Sequence, residues 1–183
     1  MTQSQTQAVY KLEPDQKVGS IMIYTATGIC WGDVIVRDYV RISTWLRTNA
    51  SPDIVCLHNA RLLITTAPVD PKPMQFPQMF IATAEILAYH LTPPAKDPID
   101  YDPSEPNRRM DPVSAILGVF RVDGLMRLST RTDLARYLDM THETFSALYE
   151  ADISSPVMPT FKTMRVPFVL IRQAASIFAN RAV

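Results

Sequence analysis

The chain has 183 residues, room for one domain of ordinary size or two very small ones but not for a large multi-domain enzyme. With 47% apolar and 20% charged residues it can bury a core, which excludes wholesale disorder and collagen-like character. Eighteen basic residues balance eighteen acidic ones, so no global positive field points to nucleic acid or an anionic membrane.

Residues 1–19 open with Thr, Gln and Ser and have no basic segment followed by an apolar run, so they read as a flexible N-terminal tail rather than a secretory signal. Ile21–Tyr24 and Ile29–Trp31 are short apolar strand candidates, and Val34–Val40 is a β-branched run that can pair with them. Ser43 is placed to cap a short helix through Leu46 and Arg47, which Pro52 ends. Ile54–Leu57 and Leu62–Thr65 return as strands, and a proline-stiffened loop spans Pro68–Pro77. Phe80–His90 is ambiguous between helix and strand. Interrupted by Glu85 and His90, it falls far short of the roughly 20 apolar residues that a membrane span needs, so a soluble, cytoplasmic protein without membrane contact is expected. Cys30 and Cys56 sit in apolar contexts that suit reduced, buried thiols.

Between Thr92 and Pro112 six prolines mix with Asp97, Asp100, Asp102, Glu105 and Asp111. Such a segment reads as an extended acidic linker, 93–112, between a unit at 20–92 and a second at 113–183. Sliding one unit over the other aligns Gly28 with Gly118, Asp33 with Asp123, Arg37 with Arg127 and Arg41 with Arg131. With small shifts Trp45-Leu46 meets Tyr137-Leu138, and Leu57 and Ala60 meet Leu148 and Ala151. Asp133 can cap Leu134–Asp139 as the second unit's helix. Phe168–Phe178, the counterpart of the ambiguous segment, opens with a β-branched run and favours strand, a turn near Ala174-Ala175, and strand. The expected fold is mainly β: two tandem copies of a small curved sheet or partly open barrel, each with one short helix, packed with pseudo-twofold symmetry.

Arg37, Arg41, Arg127 and Arg131 recur around one strand-to-helix corner in each unit. They offer planar donor forks for a small anion, or ion pairs that fix the corner. Cys56 and His58, two apart on a strand, face one side and could form a nucleophile–base pair, but neither Cys-x-x-Cys nor His-Glu-x-x-His accompanies them. Glycine-rich phosphate loops and nucleophile elbows are absent, so no catalytic residue, metal site or cofactor is assigned. Met74 and Phe76 in one proline-edged loop and Met158 and Phe161 in its counterpart present soft apolar side chains on stiff backbone, which suits docking of a protein partner. The function expected from these features is a non-enzymatic β module for protein–protein interaction or homo-oligomeric assembly. An anion-binding protein is the alternative, and a Cys/His enzyme a weaker one.

Overall fold

The computed structural model describes residues 11–48, 51–65 and 72–181. It is a single open antiparallel sheet of ten strands: β1 (Gln16–Tyr24), β2 (Gly28–Arg37), β3 (Ile54–Ile64), β4 (Met74–Ala82), β5 (Ala88–Leu91), β6 (Arg108–Leu117), β7 (Phe120–Ser129), β8 (Phe145–Ser154), β9 (Met164–Arg172) and β10 (Ile177–Asn180). The strand order is β10-β6-β7-β8-β9-β5-β1-β2-β3-β4. Separate curved sheets or barrels do not form, because β9 pairs with β5 and carries the ladder from one half of the chain into the other.

Antiparallel partners share a face, so the pairing also sorts the core. Ala88 lies opposite Ile171 and Tyr89 opposite Leu170. Ala88 and Ile171 belong to one apolar cluster with Tyr24, Phe120, Val122 and Leu148, whereas Tyr89 and Leu170 belong to another with Ile23, Val34, Leu57 and Phe145. The two cores therefore lie on opposite faces of one sheet, and the strands at its middle are buried on both sides. Edge-to-face ring pairs lock each core across the junction: Tyr24 on Phe120 at 4.9 Å, and Tyr89 on Phe145 at 5.8 Å. Such pairs contribute roughly 0.5–1.5 kcal/mol beyond the area they bury.

Several boundaries differ from the sequence reading. β1 begins at Gln16, inside the stretch assigned to the tail, because Gln16–Ser20 complete the ladder with Asp33–Arg37; residues 1–10 lie outside the described residues. Ile54–Ile64 is one strand where two were expected. Asn59 takes φ 47° at its centre and forms a bulge, and Glu150 does the same with φ 47° in β8. The first helix is a 3-10 segment, Ile42–Arg47, which Ser43 does not cap; the Ser43 N–H instead donates to the Asp97 carboxylate. Asp133 does cap the α-helix α1 (Leu134–Met140), accepting from the Arg136 N–H. Phe80–His90 resolves as the end of β4, a 3-10 turn at Thr83–Glu85 and β5, matching the turn at Gln173–Ala175 before β10.

The acidic segment is a strap as well as a connection. Asp100 accepts a hydrogen bond from the Tyr149 hydroxyl at 2.7 Å and pairs with Arg47, while Tyr101 stacks edge-on against Tyr149 beneath the Arg127 guanidinium. Its last residues, Arg108–Pro112, belong to β6, which a proline-rich segment was not expected to enter. Pro112 fits because its ring nitrogen lies toward β10, which ends at Asn180 opposite Val113, and its carbonyl still accepts from the Arg181 N–H.

Each bulge faces a glycine on the neighbouring strand, Gly32 for Asn59 and Gly124 for Glu150, while Gly118 turns the chain between β6 and β7. A Cβ on Gly32 would stand 2.6 Å from the His58 carbonyl oxygen, whereas one on Gly118, at φ +57°, meets only Leu87 at 3.6 Å. Gly32→Ala is expected to lower stability by about 1–3 kcal/mol through overpacking against backbone. Gly118→Ala is expected to cost about 1 kcal/mol from backbone strain alone. Urea denaturation of the two variants checks that order.

Candidate functional site

The Cys56 sulfur and His58 Nε2 lie 3.8 Å apart on the outer face of β3, as alternation along a strand dictates. Burial pushes the Cys56 thiol above its ordinary value, so proximity to the imidazole does not produce a thiolate at neutral pH. Cys30 is buried, its thiol raised to about 11, and both cysteines are unpaired to each other. Among the described residues no three His, Cys, Asp or Glu side chains gather to hold a metal ion. No helix of the described residues is long and apolar enough to cross a membrane.

The four arginines occupy different surroundings. Arg37 pairs with Asp15 and Glu13 at the end of β2, and Arg127 pairs with Glu105 over the ring of Tyr101. The Arg41 Nε donates to the Ser43 hydroxyl beside the acidic strap, and Arg131 lies exposed in the turn after β7. Their charges are spent on neighbouring carboxylates or solvent rather than aimed at one cavity. The apolar loop candidates also part company. Met74 and Phe76 stand exposed on the edge strand β4, while Met158 and Phe161 fold over the C-terminal core, Phe161 against Phe120 at 6.1 Å.

Two features escaped the sequence reading. One is His90, fully buried at the centre of the sheet. The Tyr24 hydroxyl donates to its Nε2 at 3.0 Å, and its Nδ1–H donates to the Leu91 carbonyl at 2.7 Å, an assignment that fits the neutral ring. Burial lowers its pKa to about 4. Nothing in the local sequence marks it, since its partner Tyr24 comes from a distant strand.

The other feature is the pair of sheet edges. Among the described residues neither β4 nor β10 has a partner on its outer side. Around β4, Phe80 is 67% exposed and Ile54, opposite Ala82 on the same face, is 57% exposed. Around β10, Ile177 is 71% exposed and its ladder partner Ile116 is 38% exposed. Along the β4 edge, Cys30, Leu62, Met79 and Ile81 line an open groove of about 440 Å³ together with Phe76, Phe80, Ala82, Thr25–Thr27 and Glu85. Pro77 inside an otherwise regular strand pattern was the sequence signal for an edge, since proline cannot donate to a ladder. No protein-family model, curated protein or solved structure matches the chain.

His90 makes stability depend on acid. Below about pH 6.5 the unfolded chain binds a proton that the folded ring refuses until about pH 4, so stability is complete above this window and declines as pH falls through it. Wild-type stability is expected to drop by up to about 3 kcal/mol from this group. Denaturant midpoints of His90→Gln, measured from pH 7 to 4, should show a flatter slope. Cys56 should react slowly with iodoacetamide at pH 7, and His58→Ala should leave that rate within about twofold, as expected where the histidine does not generate the thiolate.

Proposed function

We propose that this protein is a non-enzymatic β module, made of two tandem copies of one five-strand unit, that works by protein–protein association through the exposed edge of β4. The tandem reading draws support from strand pairing. Each half runs strand, strand, short helix, strand, strand, 3-10 turn, strand, and pairs in the same order, β5-β1-β2-β3-β4 and β10-β6-β7-β8-β9.

Aligning the halves by their ladders sets Gly32 on Gly124, Leu57 on Leu148, Asn59 on Glu150, Ala60 on Ala151, Pro77 on Pro167 and Ile81 on Ile171. This frame differs from the one that matched Gly28 with Gly118 and the arginines with each other. There the β2–β3 bulge between Trp31 and Asp33 would not coincide with the β7–β8 bulge between Asp123 and Leu125. The relation it implies is a pseudo-twofold screw along the sheet, because strand direction and core face both reverse from one half to the next.

The observation that carries the association is the exposure of Met74, Phe76 and Phe80 on β4 and of Ile54 on its neighbour β3, beside an outer side of β4 that has no partner among the described residues. An edge that presents N–H and C=O groups beside apolar side chains invites another strand. Natural edges are usually blunted by charge, and the β4 sequence MQFPQMFIA contains none. A small-anion site draws no comparable support, since Arg37 and Arg127 already face carboxylates.

Phe80→Lys places a charge on this edge without touching either core. Sedimentation velocity across a concentration series should show wild-type association that the variant lowers at least about tenfold in affinity, the scale of a lost central contact. Its melting temperature should be unchanged. A wild-type chain that stays monomeric and binds no partner at this edge would sink the reading.

A further inference from the structure

Resting on that reading, we infer that the partner of the β4 edge is the β10 edge of a second copy of this chain, joined head to tail in the geometry that joins β9 to β5 inside each molecule. The inference comes from what the internal junction buries. In the ladder frame β4 corresponds to β9 and β10 to β5, so the two outer edges of the molecule are the two sides of its own central contact.

The exposed side chains follow the same correspondence. Phe80 and Ile54 stand where Leu170 and Phe145 stand in the second half, and Ile177 and Ile116 where Ala88 and Tyr24 stand in the first. All four counterparts are fully buried, because each half plugs the other's core: Tyr24 and Ala88 cover the C-terminal core, and Phe145 and Leu170 cover the N-terminal one. The four exposed residues are thus equivalents of plugs without a socket. The groove lined by Cys30, Leu62, Met79 and Ile81 is the matching socket, corresponding to Val122, Ile153, Val169 and Ile171, which Tyr24 and Ala88 close. In a second copy Ile116 and Ile177 would enter that groove.

The register is fixed by the same argument. Ala88 opposite Ile171 becomes Ile177 opposite Ile81, and Tyr89 opposite Leu170 becomes Phe178 opposite Phe80. Pro77 does not interfere, since its counterpart Pro167 lies beyond the short stretch of β9 that meets β5. One element is missing. At the internal junction Arg172 donates from Nε to the Ile86 carbonyl at 2.7 Å and from its guanidinium to the Thr83 carbonyl, with its charge over the Phe145 ring. Ala82 occupies that place on β4. The contact between molecules is accordingly weaker than the one within, and reversible. Because the joined surfaces differ, a dimer leaves one β4 and one β10 open, and growth continues unless the sheet's twist closes a ring.

The test uses the full chain with Cys30→Ala and Cys56→Ala, carrying either Ile81→Cys or Ile177→Cys. Residues 81 and 177 fall at the counterpart of the Ile171–Ala88 position, where the separation of facing strands suits a disulfide. Oxidation of the mixed proteins should give a cross-linked heterodimer on a non-reducing gel, absent from each protein alone and from Ile81→Cys mixed with Ala179→Cys. In the parent chain, Ala82→Arg should tighten association, a gain that mere loss of fold does not produce. Ile81→Cys cross-linking to itself would overturn the head-to-tail geometry while leaving association through β4 standing. A monomer at every concentration with no cross-link would overturn both.

Discussion

The ladder between β9 and β5 is the contact on which the rest of the architecture depends. It is short, pairing Ala88 with Ile171 and Tyr89 with Leu170, yet it converts two five-strand runs into one sheet. Strand alternation then sends Ala88 and Ile171 to one face and Tyr89 and Leu170 to the other, so a core forms on each side. Arg172 reinforces the step by donating to the Ile86 and Thr83 carbonyls around the turn that precedes β5, which ties that turn to the end of β9. Each half is too small to make a thick core by itself. Lending one apolar face to the neighbour solves that problem for both, and the same loan makes the outermost strands apolar where nothing among the described residues borrows from them.

The strap 92–107 works with this junction. It carries the chain from β5 at the middle of the sheet to β6 next to the far edge, and on the way its carboxylates meet donors that the fold leaves open. Asp97 receives the Ser43 N–H and Asp100 the Tyr149 hydroxyl. Those two hydrogen bonds explain why a segment dense in proline and aspartate lies ordered against the sheet. Its remaining charges, such as Glu105 with Arg108 and Arg127, pair near the surface and contribute little each.

Much of the local structure was legible in the sequence. β-branched runs located most of the strands, Asp133 announced α1, and the Ala174-Ala175 pair located the last 3-10 turn. The positions lost were those set by partners remote in the chain. Ser43 could not reveal that Asp97 would take its N–H, nor Asn59 that it would carry a bulge where a break between two strands was expected. The repeated Gly, Asp and Arg identities lie at corners, whereas the two ladder bulges face Gly32 and Gly124, whose role depends on the His58 and Tyr149 carbonyls lying close by. Of the candidate surface, Met74 and Phe76 were legible because proline-edged apolar residues stood out. Phe80 and Ile54 were not, because a single sequence does not distinguish an edge strand's outer face from a buried one.

The junction also governs the order in which the protein can fold. β5 is made long before β9, so the N-terminal half must wait, with Tyr24, Ala88 and Trp31 uncovered, until the last third of the chain has been synthesised. Contacts of such sequence separation close slowly, and a half-made sheet with apolar faces is prone to pair with the wrong molecule. Closure of β9 on β5 is thus the late, long-range step that completes both cores. The arginine on β9, absent from β4, favours β9 over β4 as the strand that β5 meets.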